Sequence, residues 1–520
     1  MNPIIWSIAG TDSGGGAGLA ADQRAADALG AHLCPVVAAI TAQNTTAVTR
    51  IFPTAPELLN AQLAALADDM PPRVIKTGLL GTAANAMAVA RWVDRLRERA
   101  PVALVIDPVL RASTGAGFVD EALMRAYREV LLPRATVVTP NQSEAVLLLG
   151  PQGSSTVPAL AASLRALTGV QSVVITGGDA RTPALSMDWI DTPHAQGWLS
   201  LPRVDTPHHH GTGCTFATAV AAALALGFVA ADAAVLAKMA TTHALRHARA
   251  VGAGAGPVVA HGGFGNDPSL LPRLSLDAQP PSSWITRPRG SAPGVYAIVE
   301  SAERVEAVLR TRPTVPTIQL RMKQPAGLSD AAWDAQLNDA IARSQRAAET
   351  AGATLVVNDH WQRALNAGAR ALHLGQEDLL ALAPDEHTRL QAARDEGVQL
   401  GLSSHSLWEL CRAATMQPDL IACGPVWPTT TKDMPWVPQG LDNLAWWAHM
   451  APAPVVGIGG ILAPEQLRAV AVAGAAGGCI VRGLGEDPAL TLPAWLQAWQ
   501  AGLNQQGEHA PPAMPHASLP

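Results

Sequence analysis

The sequence predicts an α/β protein of two different domains, an α/β sandwich followed by a (β/α)8 barrel of the TIM type. Short apolar runs alternate with longer helical patterns along most of the 520 residues, as in parallel sheets with crossover helices. A stretch rich in proline and serine interrupts the alternation between 266 and 293. No internal repeat relates the two halves, so we expect a different fold on each side of this stretch.

The patterns also set the domain boundaries. The first domain is expected over 1–265 and the barrel over 294–504. Residues 266–293 show no sustained period and are predicted to be a flexible linker. Residues 505–520, QQGEHAPPAMPHASLP, are predicted to be a disordered tail.

Composition and charge exclude several classes of protein. The net charge of -6 is mild and no long basic run occurs, so nucleic acid is not expected as a partner. The start, MNPIIWSIAG, lacks the features of a signal peptide, and no run of about 18 apolar residues predicts a membrane span. The scattered cysteines form no CxxC pair, which favours a reducing cytoplasm over a disulfide framework. The oligomeric state stays open, a homo-oligomer included.

The strand candidates of the first half are near-continuous apolar runs, as strands buried on both faces require. They are IIWSIAG, CPVVAAIT, RVIKTGLL, VALVIDPV, ATVVTPN and QSVVITGG. Ligands gather at the carboxyl ends of the strands in an open α/β sheet. Those ends contain Gly10, Asp12, Gln43, Asn44, Asp107, Asn141, Glu144, Gly177 and Gly178.

The segment HHHGTGCTF at 208–216 is a candidate anion site. Its glycines would let backbone N–H groups close on an anion, and the alanine-rich run that follows predicts a helix whose N-terminus favours negative charge. The alternatives are a metal site at His208, His209 and His210, a redox thiol at Cys214, and a plain turn. The sequence offers no further ligands for a metal there, so a phosphate cradle is favoured.

Several motifs of the first half occur together, in the order that a known family shows. IAGTDSGGGAGLAADQR, TAQNT, IDPV, TPNQSEA and HGTGCTFA resemble the ribokinase-like family, and more closely its hydroxymethylpyrimidine and hydroxymethylpyrimidine-phosphate kinases. The resemblance covers 1–265. It implies a ribokinase-like sandwich that uses ATP as co-substrate, with Mg²⁺, to phosphorylate a pyrimidine alcohol and then its monophosphate.

The resemblance also implies roles for individual residues. Three would lie against the pyrimidine: Gly10, Asp22 and Gln43. Four would surround the transferred phosphoryl group: Gly211, Thr212, Gly213 and Cys214. Four would lie near the nucleotide and Mg²⁺: Asp107, Asn141, Glu144 and Thr176. Such an arrangement supplies positioning and charge stabilisation, which phosphoryl transfer mainly requires.

The thiol and two departures from the family pattern affect this interpretation. Sugar kinases of the superfamily carry an aspartate base at the position of Cys214, and a thiol at a helix N-terminus is expected to have a lowered pKa. Cys214 could therefore be a base, or it could only shape the pocket.

Thr176 replaces a lysine that relatives often carry, and Ala217 replaces a serine. Lys238, in the helical AKMATTHAL, is expected on the surface, and a position near the nucleotide is the alternative.

Eight strand candidates follow residue 293: GVYAIV, TIQLRMK, TLVVND, ALHLG, QLGLSSH, LIACGPVW, PVVGIGG and GGCIVRG. Eight β/α units in about 210 residues predict a TIM barrel, in which chemistry occurs at the carboxyl ends of the strands. Gln319, Arg321 and Lys323 alternate, so we expect them on one strand face. The mouth of the barrel is the least costly place for three polar groups.

Further polar residues follow the other barrel strands. They are Asn358, Asp359, Asp378, Ser403, His405, Thr429, Thr430, Thr431 and Lys432, with Gly459 and Gly460 after the seventh strand. Cations, carboxylates and hydroxyls at consecutive strand ends suit a pyrophosphate bound with Mg²⁺, with a second phosphate nearby. A purely structural explanation of all of them is disfavoured.

IQLRMK, VVNDHW, HLGQED, GPVWPTTTK and GIGGI resemble thiamine-phosphate synthases, over 294–490. The resemblance implies that hydroxymethylpyrimidine diphosphate is joined to thiazole phosphate, with release of pyrophosphate. Asp359 and Asp378 would hold Mg²⁺. Six residues would bind the pyrimidine diphosphate: Gln319, Arg321, Lys323, Asn358, Ser403 and Lys432. Six would meet the thiazole phosphate: Thr429, Thr430, Thr431, Gly460, Val481 and Arg482.

Together, the two resemblances predict a bifunctional enzyme of thiamine biosynthesis that acts on small molecules. The first domain would make the diphosphate that the second consumes. Two alternatives remain for the first half, a degenerate binding or regulatory module and a vitamin B6 kinase. Thr176 and Ala217 are the residues that leave the degenerate module open.

Overall fold

The protein forms two compact units in the computed structural model, one over 1–285 and the other over 286–520. The structure describes residues 2–110, 120–150, 156–178, 184–284, 286–287, 290–429, 435–507 and 509–520. The first unit contains an open sheet with helices, and the second contains a closed barrel. The predicted α/β sandwich and TIM barrel are both confirmed.

A ten-stranded sheet forms the centre of the first unit, within its described residues. Its strands are Ile4–Gly10 (β1), His32–Gln43 (β2), Val48–Pro53 (β3), Val74–Thr77 (β4), Ala103–Ile106 (β5), Val137–Val138 (β6), Ser172–Ile175 (β7), Leu185–Asp191 (β8), Gln196–Pro202 (β9) and Arg273–Leu274 (β10). The spatial order is β10-β9-β8-β7-β6-β5-β4-β1-β2-β3. The strands from β7 to β2 pair in parallel, and antiparallel strands extend both edges.

Helices connect and cover these strands. They are Gly18–Ala28 (α1), Pro56–Ala67 (α2), Ala83–Arg97 (α3), Glu121–Ala126 (α4), Gln142–Leu149 (α5), Val157–Thr168 (α6), Thr212–Ala225 (α7) and Ala230–Arg246 (α8). Shorter helical turns occupy Tyr127–Leu131, Leu132–Arg134, Phe264–Asn266 and Pro268–Leu270. The alanine-rich α7 and α8 are buried over most of their length, because small side chains let helices pack closely on the sheet and on each other.

The linker predicted over 266–293 is wrong for much of its length. β10 lies within it and pairs with β9 at the edge of the first sheet. The Trp198 indole donates to the Ala278 carbonyl at 2.9 Å, which holds the chain after β10 on the same unit. Arg287 pairs with Asp395 within the second unit. These anchors occur singly among prolines, so they produce no period that a pattern analysis could detect.

Eight parallel strands close the barrel of the second unit, and the eight predicted strands are confirmed. They are Gly294–Val299 (β11), Thr317–Leu320 (β12), Thr354–Asn358 (β13), Ala371–Leu374 (β14), Gln399–Ser404 (β15), Leu420–Cys423 (β16), Val455–Gly457 (β17) and Gly477–Ile480 (β18). The helices are Ala302–Leu309 (α9), Asp330–Ala351 (α10), Trp361–Asn366 (α11), Gln376–Ala381 (α12), Pro384–Asp395 (α13), Leu407–Met416 (α14), Gly440–Met450 (α15), Pro464–Val472 (α16) and Pro488–Leu503 (α17), with a short turn at Arg482–Leu484.

Alternate side chains of the barrel strands fill its interior. They form one buried cluster: Tyr296, Ile298, Val356, Ala371, Ala422, Val456 and Cys479. The barrel is therefore a packed core rather than a pore, and its ligands must bind at the ends of the strands.

The disordered tail predicted over 505–520 is wrong for its last part. His516 and Asn443 exchange two hydrogen bonds, of 2.8 and 3.1 Å. The Val437 N–H donates to the Ser518 carbonyl at 2.9 Å, and Ser518 is buried. Small and polar residues are typical of disordered ends, and only the tertiary structure shows that these have partners.

Candidate active sites

The six parallel strands of the first unit end side by side, in the order β2, β1, β4, β5, β6, β7. Gly10 ends β1, Asp107 follows β5, and Asn141 follows β6, where it pairs with Thr176 next to β7. Neighbouring strands are about 4.8 Å apart, so this carboxyl edge is roughly 24 Å long. The residues predicted for the pyrimidine begin at one end of the edge, and those predicted for the nucleotide lie at the other.

The glycine-rich turn 211–213 lies at the N-terminus of α7, where the sequence predicts it. Gly211 has a φ of 86°, and a Cβ on it would lie 2.1 Å from the Gly16 carbonyl oxygen, so only glycine fits. Gly213 is exposed, and a Cβ on it would lie 4.0 Å from Asp107 Oδ1. The first turn of α7, with Thr212 and Gly213, therefore borders the carboxyl edge at Asp107. Its N–H groups and the helix dipole suit a phosphate there.

A hydrogen-bonded group joins Asp12, His210 and Gln43 beside this turn. Asp12 accepts from the Gly16 and Ala17 N–H groups at 2.9 and 2.8 Å and from His210 Nε2 at 3.0 Å. Gln43 Nε2 lies 3.3 Å from the same His210 nitrogen. Burial would raise the pKa of Asp12, but hydrogen bonds from His210 and the backbone hold it below its usual value. His210 thus joins the turn before α7 to the turn before α1, a role that the sequence did not reveal.

Asp22 does not line the site, since its side chain is completely buried. Its carboxylate accepts hydrogen bonds from Ser7 Oγ at 2.6 Å, from Thr218 Oγ1 at 2.8 Å and from Lys76 Nζ at 3.0 Å. The predicted contact of Asp22 with the pyrimidine therefore does not fit this structure. The reason is that Asp22 partners a buried lysine, and a buried charge requires a partner of opposite charge.

Lys76, as completely buried as Asp22, is a charged residue beneath the site that the sequence interpretation missed. Burial alone would lower the pKa of Lys76, but the carboxylates of Asp22 and Asp107 raise it above the usual value. The lysine therefore stays charged beneath the carboxyl edge, with Nζ 3.6 Å from Asp107 Oδ2. The sequence did contain an indication of this buried, paired position, because a lysine inside the apolar run RVIKTGLL requires a partner of opposite charge.

Cys214 lies in the first turn of α7, close to the same charged group. Burial raises the pKa of the Cys214 thiol to about 12. The positive charge of Lys76 opposes this effect, and the negative charges of Asp107 and Asp22 add to it. The expected lowering is therefore wrong, because burial and acidic neighbours outweigh the helix N-terminus. Burial also raises the pKa of Asp107, which makes this carboxylate a better proton acceptor than its usual value implies.

Asn141 and Glu144 form a capping box at the start of α5. Glu144 donates its N–H to Asn141 Oδ1 at 2.8 Å, and Asn141 donates its N–H to Glu144 Oε2 at 2.9 Å. The N-x-x-E spacing thus has a structural explanation beside the proposed one. Thr176 lies next to Asn141, with its N–H donating to the Pro140 carbonyl at 2.9 Å.

Lys238 is buried, which contradicts the expected surface position. Its ammonium group lies 2.8 Å from Asp188 Oδ2 and donates to Ser186 Oγ at 2.9 Å. The other oxygen of Asp188 accepts from the Gly177 N–H at 2.9 Å. A lysine is thus connected through Asp188 to the segment after β7, which contains Thr176.

Arg321, Asn358 and Ser403 lie at the carboxyl ends of β12, β13 and β15 in the barrel. His373 of β14 lies between the last two, pairing with Asn358 in the ladder and placing Nε2 2.9 Å from Ser403 Oγ. Burial, with a smaller effect of the Arg321 charge, lowers the pKa of His373 to about 4, so its imidazole is neutral at physiological pH. His373 therefore orients Ser403. The sequence contained an indication of this role, because the alternation in ALHLG places His373 on the inward face of the strand.

Gln319, Arg321 and Lys323 were predicted to lie on one strand face. They do not, because β12 ends at Leu320. Gln319 lies within β12, is buried, and donates to Tyr296 Oη at 3.2 Å inside the barrel. Arg321 and Lys323 follow the strand. Arg321 is half-buried and its charge acts on His373, whereas Lys323 is exposed.

Asp359 and Asp378, the predicted Mg²⁺ ligands, lie close together at the mouth of the barrel. Burial raises the pKa of Asp359 above its usual value, and the adjacent charge of Asp378 adds to this effect while Arg321 opposes it. Asp359 also has a φ of 64°, a strained value of the kind that clusters at functional sites. Two carboxylates held together, one of them half-buried, fit a divalent cation such as Mg²⁺.

Gly459 and Gly460 are required by packing between two loops. Both have positive φ, and a Cβ on Gly460 would lie 2.6 Å from Trp427 Cβ. The Trp427 N–H donates to the Gly459 carbonyl at 3.1 Å, which joins the loops after β16 and β17. Thr429 lies at the end of the first of these loops, whereas Thr430, Thr431 and Lys432 lie outside the described residues. Val481 and Arg482 follow β18, and Arg482 is exposed.

Two family models match the chain. The model described as phosphomethylpyrimidine kinase matches residues 12–259, and the model described as thiamine monophosphate synthase matches residues 295–484. Each match lies within one of the two units. A hydroxymethylpyrimidine/phosphomethylpyrimidine kinase of Synechococcus elongatus is 42% identical over 258 residues, covering 49% of this chain and 96% of its own.

Two plant proteins match across both units. A probable thiamine biosynthetic bifunctional enzyme of Oryza sativa subsp. japonica is 31% identical and is covered over 81% of its length, with 88% of this chain aligned. The thiamine biosynthetic bifunctional enzyme TH1 of Arabidopsis thaliana is 30% identical, over 85% of its length and 88% of this chain. Among solved structures, an ADP complex of Bacillus subtilis pyridoxal kinase is 31% identical with a TM-score of 0.45, covering 50% of this chain and 97% of its own.

Fold and sites define a two-domain transferase with a glycine-rich turn at a helix N-terminus in one unit and a pair of carboxylates at the mouth of the barrel in the other. The chain belongs to the family of bifunctional thiamine biosynthetic enzymes, with a kinase domain followed by a thiamine-phosphate synthase domain. In the part of the chain that the structure describes, every helix is too short or too polar to span a membrane.

Proposed function

We propose that the first unit transfers phosphoryl groups from ATP, with Mg²⁺, to hydroxymethylpyrimidine and then to its monophosphate. The observation that carries this proposal is the turn 211–213, which sets the N-terminus of α7 over the carboxyl edge beside Asp107 and the buried Lys76. The substrate oxygen attacks the γ-phosphorus, its proton leaves, and ADP departs. The α7 N–H groups and Lys76 stabilise the charge on the phosphoryl oxygens.

The position of each group suggests its role. Gln43 and Gly10 lie at the β1–β2 end of the edge and would bind the pyrimidine, while Asn141, Glu144 and Thr176 at the β6–β7 end would border the nucleotide. Asp107 is the carboxylate between them and would accept the proton of the substrate hydroxyl. Cys214 would shape the pocket rather than act as the base, since its pKa is raised to about 12.

In the barrel, we propose that the pyrimidine diphosphate and thiazole phosphate are joined. The bond between the pyrimidine methylene carbon and the pyrophosphate oxygen breaks, and the thiazole nitrogen then attacks this carbon. Mg²⁺ held by Asp359 and Asp378 would neutralise charge on the leaving pyrophosphate. Arg321, Lys323 and Lys432 would bind its oxygens, and Asn358 and Ser403 would orient the diphosphate.

The thiazole phosphate would bind on the opposite side of the mouth. Its proposed ligands are Thr429, Thr430, Thr431, Gly460, Val481 and Arg482. The loops after β16 and β17 support this assignment, since their hydrogen bonds hold Thr429 and Gly460 on neighbouring segments. Buried Gln319 would act from below by orienting Tyr296 rather than by touching the phosphates.

A coupled assay on the full chain tests both proposals. Hydroxymethylpyrimidine, thiazole phosphate, ATP and Mg²⁺ are supplied, and thiamine phosphate is measured. Product formation supports both activities. No product, with rescue by the pyrimidine diphosphate, would reject the kinase proposal alone; no product even with the diphosphate would reject the synthase proposal.

Neither alternative for the first half is favoured. The family model at 12–259 and the kinase of Synechococcus elongatus both carry the name of a pyrimidine kinase, which argues against vitamin B6 as the main substrate. The buried Lys238 is connected through Asp188 to Gly177, the residue after Thr176, which argues against a degenerate module. A cytoplasmic location and a homo-oligomer remain predictions.

A further inference from the structure

Three histidines converge at the C-terminal end of α8, away from the residues assigned above. His243 lies in the last turn of α8, His247 is the residue that directly follows the helix, and His261 lies on the next segment. Each pair of imidazole rings has its centroids 4.4 Å apart. One nitrogen atom of each ring lies within 4.8 Å of the corresponding atoms of the other two.

The imidazole rings of His247 and His261 each have one nitrogen atom whose lone pair can bind a metal ion. His247 Nδ1 lies 2.9 Å from the His243 carbonyl oxygen, and His261 Nδ1 lies 2.8 Å from the Gly262 carbonyl oxygen. A carbonyl oxygen only accepts, so each Nδ1 carries the proton and each Nε2 presents a lone pair. A backbone carbonyl on the second nitrogen is the usual support of a metal-binding histidine.

The third ring supplies an independent indication of a ligand. His243 is 8% exposed, and its Nδ1 is buried without a hydrogen-bond partner. A buried polar atom without a partner is unusual and calls for a ligand. His247 and His261 are exposed, so an ion can reach the group from solvent.

We propose that His243, His247 and His261 bind a divalent first-row transition-metal ion, with Zn²⁺ as the ion that best suits three imidazoles and an open fourth position. Tetrahedral Zn–N bonds of about 2.1 Å place the nitrogens roughly 3.4 Å apart. The nitrogen atoms of the three rings, which lie within 4.8 Å of one another, must therefore approach by at most about 1.4 Å. Asp267, whose charge acts on His243, is paired with Arg246 at 2.8 Å and is not included among the proposed ligands.

The bound ion would fix the position of residues 256–261, which also contact the turn before α7. Within this segment, the Gly256 carbonyl accepts from the His210 N–H at 3.1 Å, and the Val258 N–H donates to the His210 carbonyl at 3.0 Å. His210 directly precedes Gly211, and His261 is three residues beyond Val258. Metal bound at His261 would therefore hold residues 256–261 against α8 and would stabilise the turn before α7.

The test is a titration of the chelator-treated full chain with Co²⁺, without ATP, followed by visible absorption. We expect the intense band of four-coordinate Co²⁺ to saturate at one equivalent and to disappear when Zn²⁺ is added. The double variant His247→Gln/His261→Gln should lose the band, and both changes are at exposed positions that do not endanger the fold. His32→Gln, another exposed histidine of the same unit, should retain it.

Two results would overturn the proposal. One is the absence of a four-coordinate band in the unmodified chain. The other is a band that survives in the double variant, which would assign the Co²⁺ to other residues, such as His208–His210. Thermal unfolding provides a second measurement, since Zn²⁺ should raise the Tm of the unmodified chain and of His32→Gln but not that of the double variant.

Discussion

At the scale of single residues, the kinase site depends on charges beneath its surface. Lys76 is completely buried, and the carboxylates of Asp22 and Asp107 keep it charged. Removing one member of such a group leaves the others uncompensated, which typically costs 3–5 kcal/mol. We therefore expect Asp22 to hold Lys76 in place from a completely buried position.

The thiol of Cys214 gives the first prediction. We expect Cys214→Ser to keep the kinase kcat within about tenfold of the unmodified chain, because a group with a pKa of about 12 carries almost no thiolate at pH 7. The dependence of kcat on pH should keep the same shape between pH 6 and 9. Phosphorylation of hydroxymethylpyrimidine, measured for both proteins across this range, provides the check. A loss of 10³-fold, or an alkaline inflection that disappears in the serine variant, would show that Cys214 is the base.

His373 gives a prediction about stability. Its pKa is about 4 in the folded barrel and about 6.5 when unfolded, so protonation favours unfolding. The contribution of neutral His373 to the free energy of unfolding of the barrel is fully present above pH 6.5. It is lost as the pH falls towards 4, and the total loss is about 3 kcal/mol. In His373→Gln, which keeps a polar group near Ser403, the barrel should lose less stability over this range.

Proteolysis in increasing urea, with barrel peptides identified by mass spectrometry, measures this difference at pH 7.5 and pH 5. Peptides from residues 1–285 serve as the internal control, since their midpoints should change equally in both proteins. An equal loss of barrel stability in both proteins would contradict the assignment to His373.

At the scale of elements, the turn before α7 is specified by its glycines and their contacts. The sequence predicted this turn and the helix after it, because a glycine cluster before an alanine-rich run is a local signal. It did not predict the partners of the turn, since Gly16 and Asp12 are about two hundred residues away in the chain. Similarly, the N-x-x-E spacing of Asn141 and Glu144 was visible, but only the structure shows that it caps α5.

Gly211→Ala tests the close contact of this turn. A Cβ at this position would lie 2.1 Å from the Gly16 carbonyl oxygen, so the turn must shift and the kinase kcat should fall by about 10²-fold or more. Gly227→Ala is a matched control, because Gly227 also has positive φ, just after α7, but no atom lies within 4 Å of a Cβ there. Kinase assays on the two variants measure the difference. Equal activities would mean that the contact with Gly16 does not hold the turn in place.

At the scale of the whole molecule, the α/β class, the two folds and the eight barrel strands could be predicted from the sequence. Parallel strands buried on both faces give apolar runs that stand out along the chain. The antiparallel strands β8, β9 and β10 lacked this signal, because LSMDWID and QGWLSLP mix polar and apolar residues. The buried Lys238 and the carboxyl-terminal segment were misinterpreted for a related reason, since their partners are distant in sequence.

Complementation between two full-length variants gives a prediction for the complete reaction sequence. Gly211→Ala disables the kinase, and Asp359→Asn, which accommodates the positive φ at this position, should disable the synthase. Each variant alone should form almost no thiamine phosphate from hydroxymethylpyrimidine. A mixture should restore product, because diphosphate released by one molecule can bind to another.

Assays of each variant for its remaining activity are the control. Inactive mixtures of variants that each retain that activity would indicate that the intermediate does not leave the chain.

The carboxyl-terminal contacts of Ser518 and His516 also determine how the protein can be handled in the laboratory. An affinity tag joined at residue 520 would begin two residues after the hydrogen bond between Ser518 and Val437. Val437 lies only a few residues from the segment that contains Thr430 to Lys432, so a bulky fusion there would disturb the loop proposed to hold both phosphates. An amino-terminal tag is therefore the safer choice for any measurement of the synthase reaction.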